Sequence, residues 1–560
     1  MFPYIKKIKE QHIVGLFLVV IAFFTYRGVF STFFQQDEWA TLGYIKTGGW
    51  GAVINNLSIL QLLFAEGRIL GRIFYLLFLG VFQFNLTPIF FFAISCHAVN
   101  AWLVYHLAKR LKGTKTACVA AAVFFAVNSL GNEAVTWAAA VFTVPATTLL
   151  LISLIWYIDF LETKDIRKRN YSFAAGILSL FIKETGLFLF IFYPLLYFLW
   201  GKSRKMNDVV RANAPLLLYG TGLIIFRITE LFFVRVASAG FVDNQKGGFI
   251  FPIIYHCIMY PLTSLSQLFV PAADLYAFVP RIVRSEYIHF VGTGLFDLVG
   301  QSIVADLISL LGTILLLVFL ACMLLKEKRN MRTAGRTVIV GILLVMLSFL
   351  PYAVLHRFFS YMSYRYYYVG VAGAALLFGY IVTWFYKRIP KVMRIVFFII
   401  VCLYLLHHVQ AIQKDLDLQI QYAGERKTFL QEIKRVHPTL QEKSIFYITS
   451  DKKYLGEITY PFQSGLGYIL EVWYYDSGKV PKMFIQDNFL WDLGEEGYRS
   501  MGKSGFGYFE HLDKLGELVK EGKITPEIVY GYIYNSKTRK FSDVTGSVRE
   551  QLATFSGTLK

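Results

Sequence analysis

The sequence predicts a polytopic α-helical membrane protein of about eleven transmembrane helices, with a small C-terminal α+β domain on the outer face. Three observations predict it. Of 560 residues, 56% are hydrophobic and only 17% charged, whereas soluble domains run nearer half apolar and about a quarter charged. The formal net charge of +19 is unevenly spread: residues 411–560 hold 20 Lys+Arg and 20 Asp+Glu, so the first 410 carry the whole excess. That excess falls in short basic clusters between apolar runs, which reports membrane orientation and points away from a nucleic-acid partner.

The elements follow in order. Lys6-Lys7-Ile8-Lys9 precedes the apolar stretch Ile13–Phe30, which places the N-terminus in the cytoplasm and reads as a retained span, since no small-residue cleavage site follows. Further basic clusters stand at Lys109–Lys112, Lys164–Arg169, Lys202–Lys205, Lys326–Arg336, Lys387-Arg388 and Lys391–Arg394. Apolar segments fit between them at 87–107, 116–131, 140–160, 171–182, 186–200, 213–234, 303–325, 337–355, 368–386 and 392–409. The two segments near 171–200 are short for spans of about 20 residues and also fit one bent helix. With the first span the count is odd, which puts residues 411–560 outside a cell membrane as an extracytoplasmic domain. Two outer loops, 31–86 and 235–302, contain apolar stretches suited to short helices on or re-entering the membrane surface; the second is broken by Pro252, Pro261, Pro271 and Pro280.

After residue 410 the composition becomes charged and turn-rich. Gln410–Val436 reads as a helical linker, Ile445–Thr449 and Ile528–Tyr534 as strands, and Phe509–Glu521 as a helix. All five cysteines (96, 118, 257, 322 and 402) lie in or beside apolar segments. The outer domain therefore has no disulfide framework, and no CxxC metal pattern occurs.

Candidate site residues are the polar groups that this topology places at the outer end of the spans. The adjacent carboxylates Asp37-Glu38 follow the first span. Glu133 ends the third segment, Lys183-Glu184 separates the fifth and sixth, and Arg227 stands near the outer end of the seventh. His356-Arg357 and Arg365 precede the tenth. Charges next to hydrocarbon are costly unless paired or hydrated, which makes them functional candidates. Structural readings stand beside this: an ion pair for Lys183-Glu184, an i,i+3 pair for Arg227 and Glu230, an interfacial belt for Arg365 among tyrosines, and interhelical hydrogen bonds for His97 and Asn100.

Carboxylates and cations at one membrane face suit transfer of a sugar from a polyprenyl phosphate. One carboxylate takes the proton from the acceptor hydroxyl. The leaving group is already an anionic phosphate, so Arg or Lys replaces a general acid. Glycoside hydrolysis would instead need a second carboxylate at a set distance.

Five motifs in order carry a family resemblance over about residues 10–410. They are Asp37-Glu38; Gly67-Arg68-Ile69-Leu70 with Ser95-Cys-His97-Ala-Val-Asn100-Ala-Trp-Leu; Phe125-Ala-Val-Asn-Ser-Leu-Gly-Asn-Glu133-Ala-Val-Thr-Trp137; Ile182-Lys183-Glu184-Thr-Gly-Leu; and Tyr364-Arg365-Tyr-Tyr-Tyr-Val-Gly370. The chain resembles membrane glycosyltransferases of the C-type fold (GT-C-like), in the protein O-mannosyltransferase and aminoarabinose-transferase group. Ile69 stands where that pattern commonly has Pro, and Asn128-Ser129 replace its His-Pro. The resemblance implies Asp37 as the base or acceptor-orienting carboxylate, with Glu38 its electrostatic neighbour. It implies Arg365, Lys183, Arg227 and Arg357 at the donor phosphate, and Glu133, Glu184, Arg68 and His356 near the sugar or acceptor. The expected domains are a transmembrane catalytic part, 1–410, and a soluble part, 411–560. The expected partners are a polyprenyl-phosphate-linked sugar, membrane lipid, and an acceptor protein, lipid or glycan. The resemblance implies no definite cofactor, and the lost His-Pro leaves a divalent metal open. An oligosaccharyltransferase-like enzyme is the alternative within the same fold, on Trp473-Tyr-Tyr-Asp476-Ser-Gly478. A lipid or solute transporter is the alternative outside it, against which the one-sided charges and the lack of an internal repeat weigh.

Overall fold

A computed structural model describes residues 10–35, 37–39, 41–43, 45–46, 69–201, 205–233, 250–282, 294–327, 331–353, 355, 360–440, 444–450, 472–474, 507–509, 511–535, 537–538, 540–555 and 557. Among them, seven helices are long and apolar enough to cross a membrane, so the protein is membrane-embedded. The chain divides into two compact units. The first comprises Met1–Arg27, Ile59–Arg72 and Ile89–Asp415; the second comprises Gly28–Ser58, Ile73–Pro88 and Leu416–Lys560.

Helix α1 (Glu10–Tyr26) lies in the first unit; α2 (Ile69–Phe82) leaves that unit after Arg72, and α3 (Thr87–Arg110), which joins it at Ile89, is followed there by α4 (Lys115–Val127). Lys109 and Arg110 close α3, where cations complement the helix dipole. Thr114 caps α4, its hydroxyl accepting the Ala117 N–H at 3.3 Å. Next come α5 (Thr143–Thr163), α6 (Ile166–Ile182), α7 (Leu189–Trp200) and α8 (Met206–Phe233). The 171–200 stretch is thus two helices, parted by the 3-10 turn Glu184–Phe188. The remaining helices are α9 (Ile250–Gln267), α10 (Ala272–Ile282), α11 (Gly294–Leu325), α12 (Met331–Ser348), α13 (Tyr368–Arg388) and α14 (Met393–Val436).

Three features of this bundle position the candidate residues. Helix α13 packs on glycines: a Cβ on Gly373 would lie 2.5 Å from the Gly341 carbonyl oxygen of α12. Gly379 likewise meets the Ala117 backbone and Ala121 of α4, the small-residue contact that lets helices approach closely in lipid. Tyr368, at the start of α13, is then pinned from below: His97 Nδ1 lies 2.7 Å from its hydroxyl, and Asn100 Nδ2 donates to it at 3.1 Å. Finally, α9 and α10 meet at a 99° bend. The carbonyls freed there are met by other helices, Leu268 O by Asn128 Nδ2 at 2.9 Å and Phe269 O by the Tyr404 hydroxyl at 2.6 Å, as irregular backbone at such depth requires.

Helix α14 runs unbroken from the expected last span through the expected linker and passes from the first unit to the second after Asp415. The second unit then builds β1 (Ile445–Ser450), β2 (Gly507–Phe509), α15 (Leu512–Lys520), β3 (Val529–Asn535), β4 (Lys540–Asp543) and α16 (Thr545–Phe555). The sheet order is β2-β1-β3-β4, parallel except for the antiparallel β3–β4 pair. One face buries Ile445, Val529, Leu515, Leu518, Val548 and Leu552. The alternating Tyr530, Tyr532 and Tyr534 are buried on the other, where Tyr532 stacks on Phe541, and Phe541 meets Phe429 of α14 at 4.2 Å between ring centroids. Gly531 is needed because a Cβ there would meet Val548 at 2.6 Å.

Candidate functional site

In the first unit the site is built on two irregular connections at one end of the bundle. After α4, Asn128 ends the helix, its Oδ1 accepting the Leu130 N–H at 3.0 Å. Ser129 Oγ lies 3.1 Å from His408 Nδ1, and Asn132 Nδ2 donates to Asp415 at 2.8 Å. The two residues that stand in place of His-Pro therefore fasten this turn to α10's approach and to α14. The turn delivers Glu133 at the start of a short helix, Glu133–Thr136. Opposite it, the 3-10 turn Tyr364–Tyr366 carries Arg365 immediately before α13.

Glu133 and Arg365 meet there. Arg365 Nη1 donates to Glu133 Oε1 at 2.6 Å, and the Arg365 backbone N–H donates to Oε2 at 3.1 Å. The Ser363 hydroxyl spans both carboxylate oxygens at 3.0 and 2.9 Å. The guanidinium lies over the Trp137 ring at 4.6 Å and the Tyr366 ring at 4.8 Å, and its Nη2 donates to the Tyr366 hydroxyl at 3.2 Å. Burial works against the charged guanidinium, but Glu133 and Tyr366 outweigh it and raise its pKa. Both side chains keep 22% of their surface exposed, so an entering anion has access to a cation whose orientation is already set.

Lys183, between α6 and the turn Glu184–Phe188, is 7% exposed. Its Nζ donates to Thr143 Oγ1 at 2.5 Å, and the Thr143 hydroxyl donates to Ala140 O at 2.8 Å. A second cation is thus held at the start of α5, at the same end as Glu133. Glu184 beside it is half-buried.

Asp37 and Glu38 belong to the second unit, in a stretch whose residues 37–39, 41–43 and 45–46 are helical. They part company at once. Asp37 is exposed, while Glu38 is 1% exposed. Glu38 reaches back three residues to accept the Gln35 N–H at 3.1 Å, the carboxylate half of a capping box. The Asp37 carbonyl accepts the Thr41 hydroxyl at 2.8 Å. Burial, then Glu38, then Asp37, raise the nearby Tyr75 phenol well above its ordinary pKa, so that group stays a neutral hydroxyl. Trp39 packs edge-on to Phe34 at 5.0 Å and lies near Trp473 at 6.4 Å. In the same unit a cavity of about 350 Å³ is walled by Phe30, Phe33, Phe84 and Trp473 and reached by Lys427 and Lys434.

The structure accordingly brings Glu133 to Arg365 and seats Lys183 on Thr143, while Asp37 and Glu38 fall in the other unit. Arg68, His356 and Arg357 lie outside the described residues, as does the side chain of Arg227, whose backbone lies in α8. Sequence reasoning missed Ser363, Trp137 and Thr143. Trp137 ends the motif that contains Glu133 and Ser363 immediately precedes the one that contains Arg365, but their contacts span more than two hundred residues and no local spacing announces them. Among the described residues, no group of three or more His, Cys, Asp or Glu is arranged to hold a metal ion. No protein-family model matches the chain, and no curated protein matches it in sequence.

Proposed function

We propose that the protein is an integral-membrane glycosyltransferase that moves one sugar from a polyprenyl-phosphate donor to an acceptor hydroxyl at the outer membrane face. The observation that carries this reading is the split of the acidic pair: Asp37 is exposed, and Glu38 is buried on its own backbone. In this reading the exposed carboxylate is assigned to chemistry and the buried one to structure.

In this reading Asp37 accepts the proton of the acceptor hydroxyl as its oxygen attacks the anomeric carbon. The bond from that carbon to the phosphate oxygen breaks on the opposite face, so configuration inverts and polyprenyl phosphate departs. The sequence resemblance assigns Arg365 and Lys183 to the phosphate, whose charge grows as the bond breaks. Glu133, itself held by the Ser363 hydroxyl, fixes the Arg365 guanidinium, while Trp137 and Tyr366 limit its tilt. The aromatic cavity with Lys427 and Lys434 is suited to the acceptor.

The test is reconstitution of the full chain in proteoliposomes with a panel of radiolabelled polyprenyl-phosphate monosaccharides and membrane-derived acceptors. Label transfer with stoichiometric release of polyprenyl phosphate supports the reading. Absence of transfer from every donor, together with flux of label across the bilayer, replaces it with a transporter.

A further inference from the structure

We propose a second binding site, for an anionic phosphate group presented at the membrane surface, at the end of the bundle opposite Glu133 and Arg365. Helix directions define that end: α3 finishes there at Arg110 and α4 starts there at Lys115, running away toward Val127 and Glu133. A cavity of about 720 Å³ opens at this end. Its lining includes Arg110, Lys112, Lys164 and Arg336, the indole of Trp200, and a single carboxylate, Glu162.

The charge at this cavity exceeds what its carboxylates absorb. Asp159 pairs with Arg110 at 2.9 Å and Lys168 at 3.6 Å, and Glu162 lies 3.9 Å from Lys112 and 3.7 Å from Arg336. Among the described residues, four lining cations thus face one lining carboxylate. Basic residues at helix ends ordinarily spread into water and report orientation alone. Here they come from three separate segments and line one concavity beside a tryptophan, a residue type common in the aromatic belts of membrane interfaces.

The backbone gives an independent reason to assign the lysines a task. Among the described residues, only Gln83, Lys112 and Lys164 are non-glycine residues with positive φ, and both lysines line this cavity. Each closes a helix in the left-handed conformation, at +62° and +63°. The Lys112 N–H bonds Lys109 O while the Gly113 N–H bonds Ala108 O, and the Lys164 N–H bonds Phe160 O. These are the helix-closing turns in which glycine is the favoured residue, since a side chain there is strained. Two lysines at such positions are explained if their ammonium groups are wanted where the turns aim them. They also counter the negative ends of α3 and α5, which would otherwise repel an anion. At about 720 Å³ the cavity is larger than a free phosphate needs, which leaves room for the glycerol and first ester groups of a phospholipid.

The experiment uses the full-length protein in a neutral detergent and titrates short-chain phosphatidylglycerol, short-chain phosphatidylcholine and inorganic phosphate by calorimetry. The variants are Lys112→Gly with Lys164→Gly, which keep the turn geometry, and Arg336→Gln. Phosphatidylglycerol is expected to bind at least tenfold tighter than phosphatidylcholine. Each charge removed should weaken it about fivefold, and the glycine pair about 25-fold, with the thermal midpoint unchanged or raised. Competition by inorganic phosphate at matched affinity assigns the site to a soluble phosphate compound; its failure to compete assigns the site to the lipid headgroup. Parent-like affinity in the glycine pair, or equal binding of the two lipids, overturns the proposal.

Discussion

Removing the charge of Glu133 or Arg365 tests whether the pair acts as one unit. Glu133 accepts from the Ser363 hydroxyl, the Arg365 backbone and the Arg365 guanidinium. Hydrogen bonds to charged groups contribute about 1.5–3 kcal/mol each where water is excluded, and the 22% exposure of both side chains puts this pair at the lower end. Glu133→Gln and Arg365→Gln should each cost about 2 kcal/mol, and the double variant about 3 kcal/mol, a coupling of about 1 kcal/mol. At about 2.1 cal/mol/K of unfolding entropy per residue, a chain of 560 residues would fall by about 2 °C in each single variant and about 2.5 °C in the double. Scanning fluorimetry in detergent on the four proteins of the cycle reads it directly. A double variant that loses the full sum of the singles would mean that Arg365 and Glu133 are held independently, and the account of an oriented cation would be wrong.

Two further outcomes are expected. Lys183→Met keeps the length of the side chain but removes its bond to Thr143, and should raise the donor KM about tenfold or more with a smaller change in kcat; an unchanged KM would remove Lys183 from the donor phosphate. Gly373→Val places a branched side chain against the Gly341 carbonyl and should cost about 2–3 kcal/mol, seen as a lower melting point and a smaller folded yield, whereas parent-like melting would show that α12 and α13 do not depend on this contact.

Much of the membrane part was legible because hydropathy and basic clusters act locally. The segment 87–107 appears as Thr87–Arg110, ending on its basic cluster, and 368–386 as Tyr368–Arg388. His97 and Asn100 make the interhelical bonds their burial demanded. Other boundaries depended on what lies beyond a window. Nothing in Gln410–Val436 breaks helical geometry, so the expected span and linker are one helix. The proline-rich stretch after 250 forms a bent pair whose freed carbonyls are satisfied by Asn128 and Tyr404, far away in sequence. Strands β2 and β4 are three and four residues long, too short for alternation to show. The acidic pair was visible as a pair, but the burial of Glu38 and exposure of Asp37 arise from the turn back to Gln35, and adjacency alone carries no such distinction.

The most direct measurement compares initial sugar-transfer rates of the parent, Asp37→Asn and Glu38→Gln in the same proteoliposomes, with melting points taken alongside. Asp37→Asn should lower kcat by about 10²–10⁴-fold with an unchanged melting point, as expected for loss of a general base on an exposed residue. Glu38→Gln should lower the melting point while retaining most of the rate. Equal rates in the parent and Asp37→Asn, or loss of transfer in Glu38→Gln alone, would contradict the division of roles on which the proposed function rests.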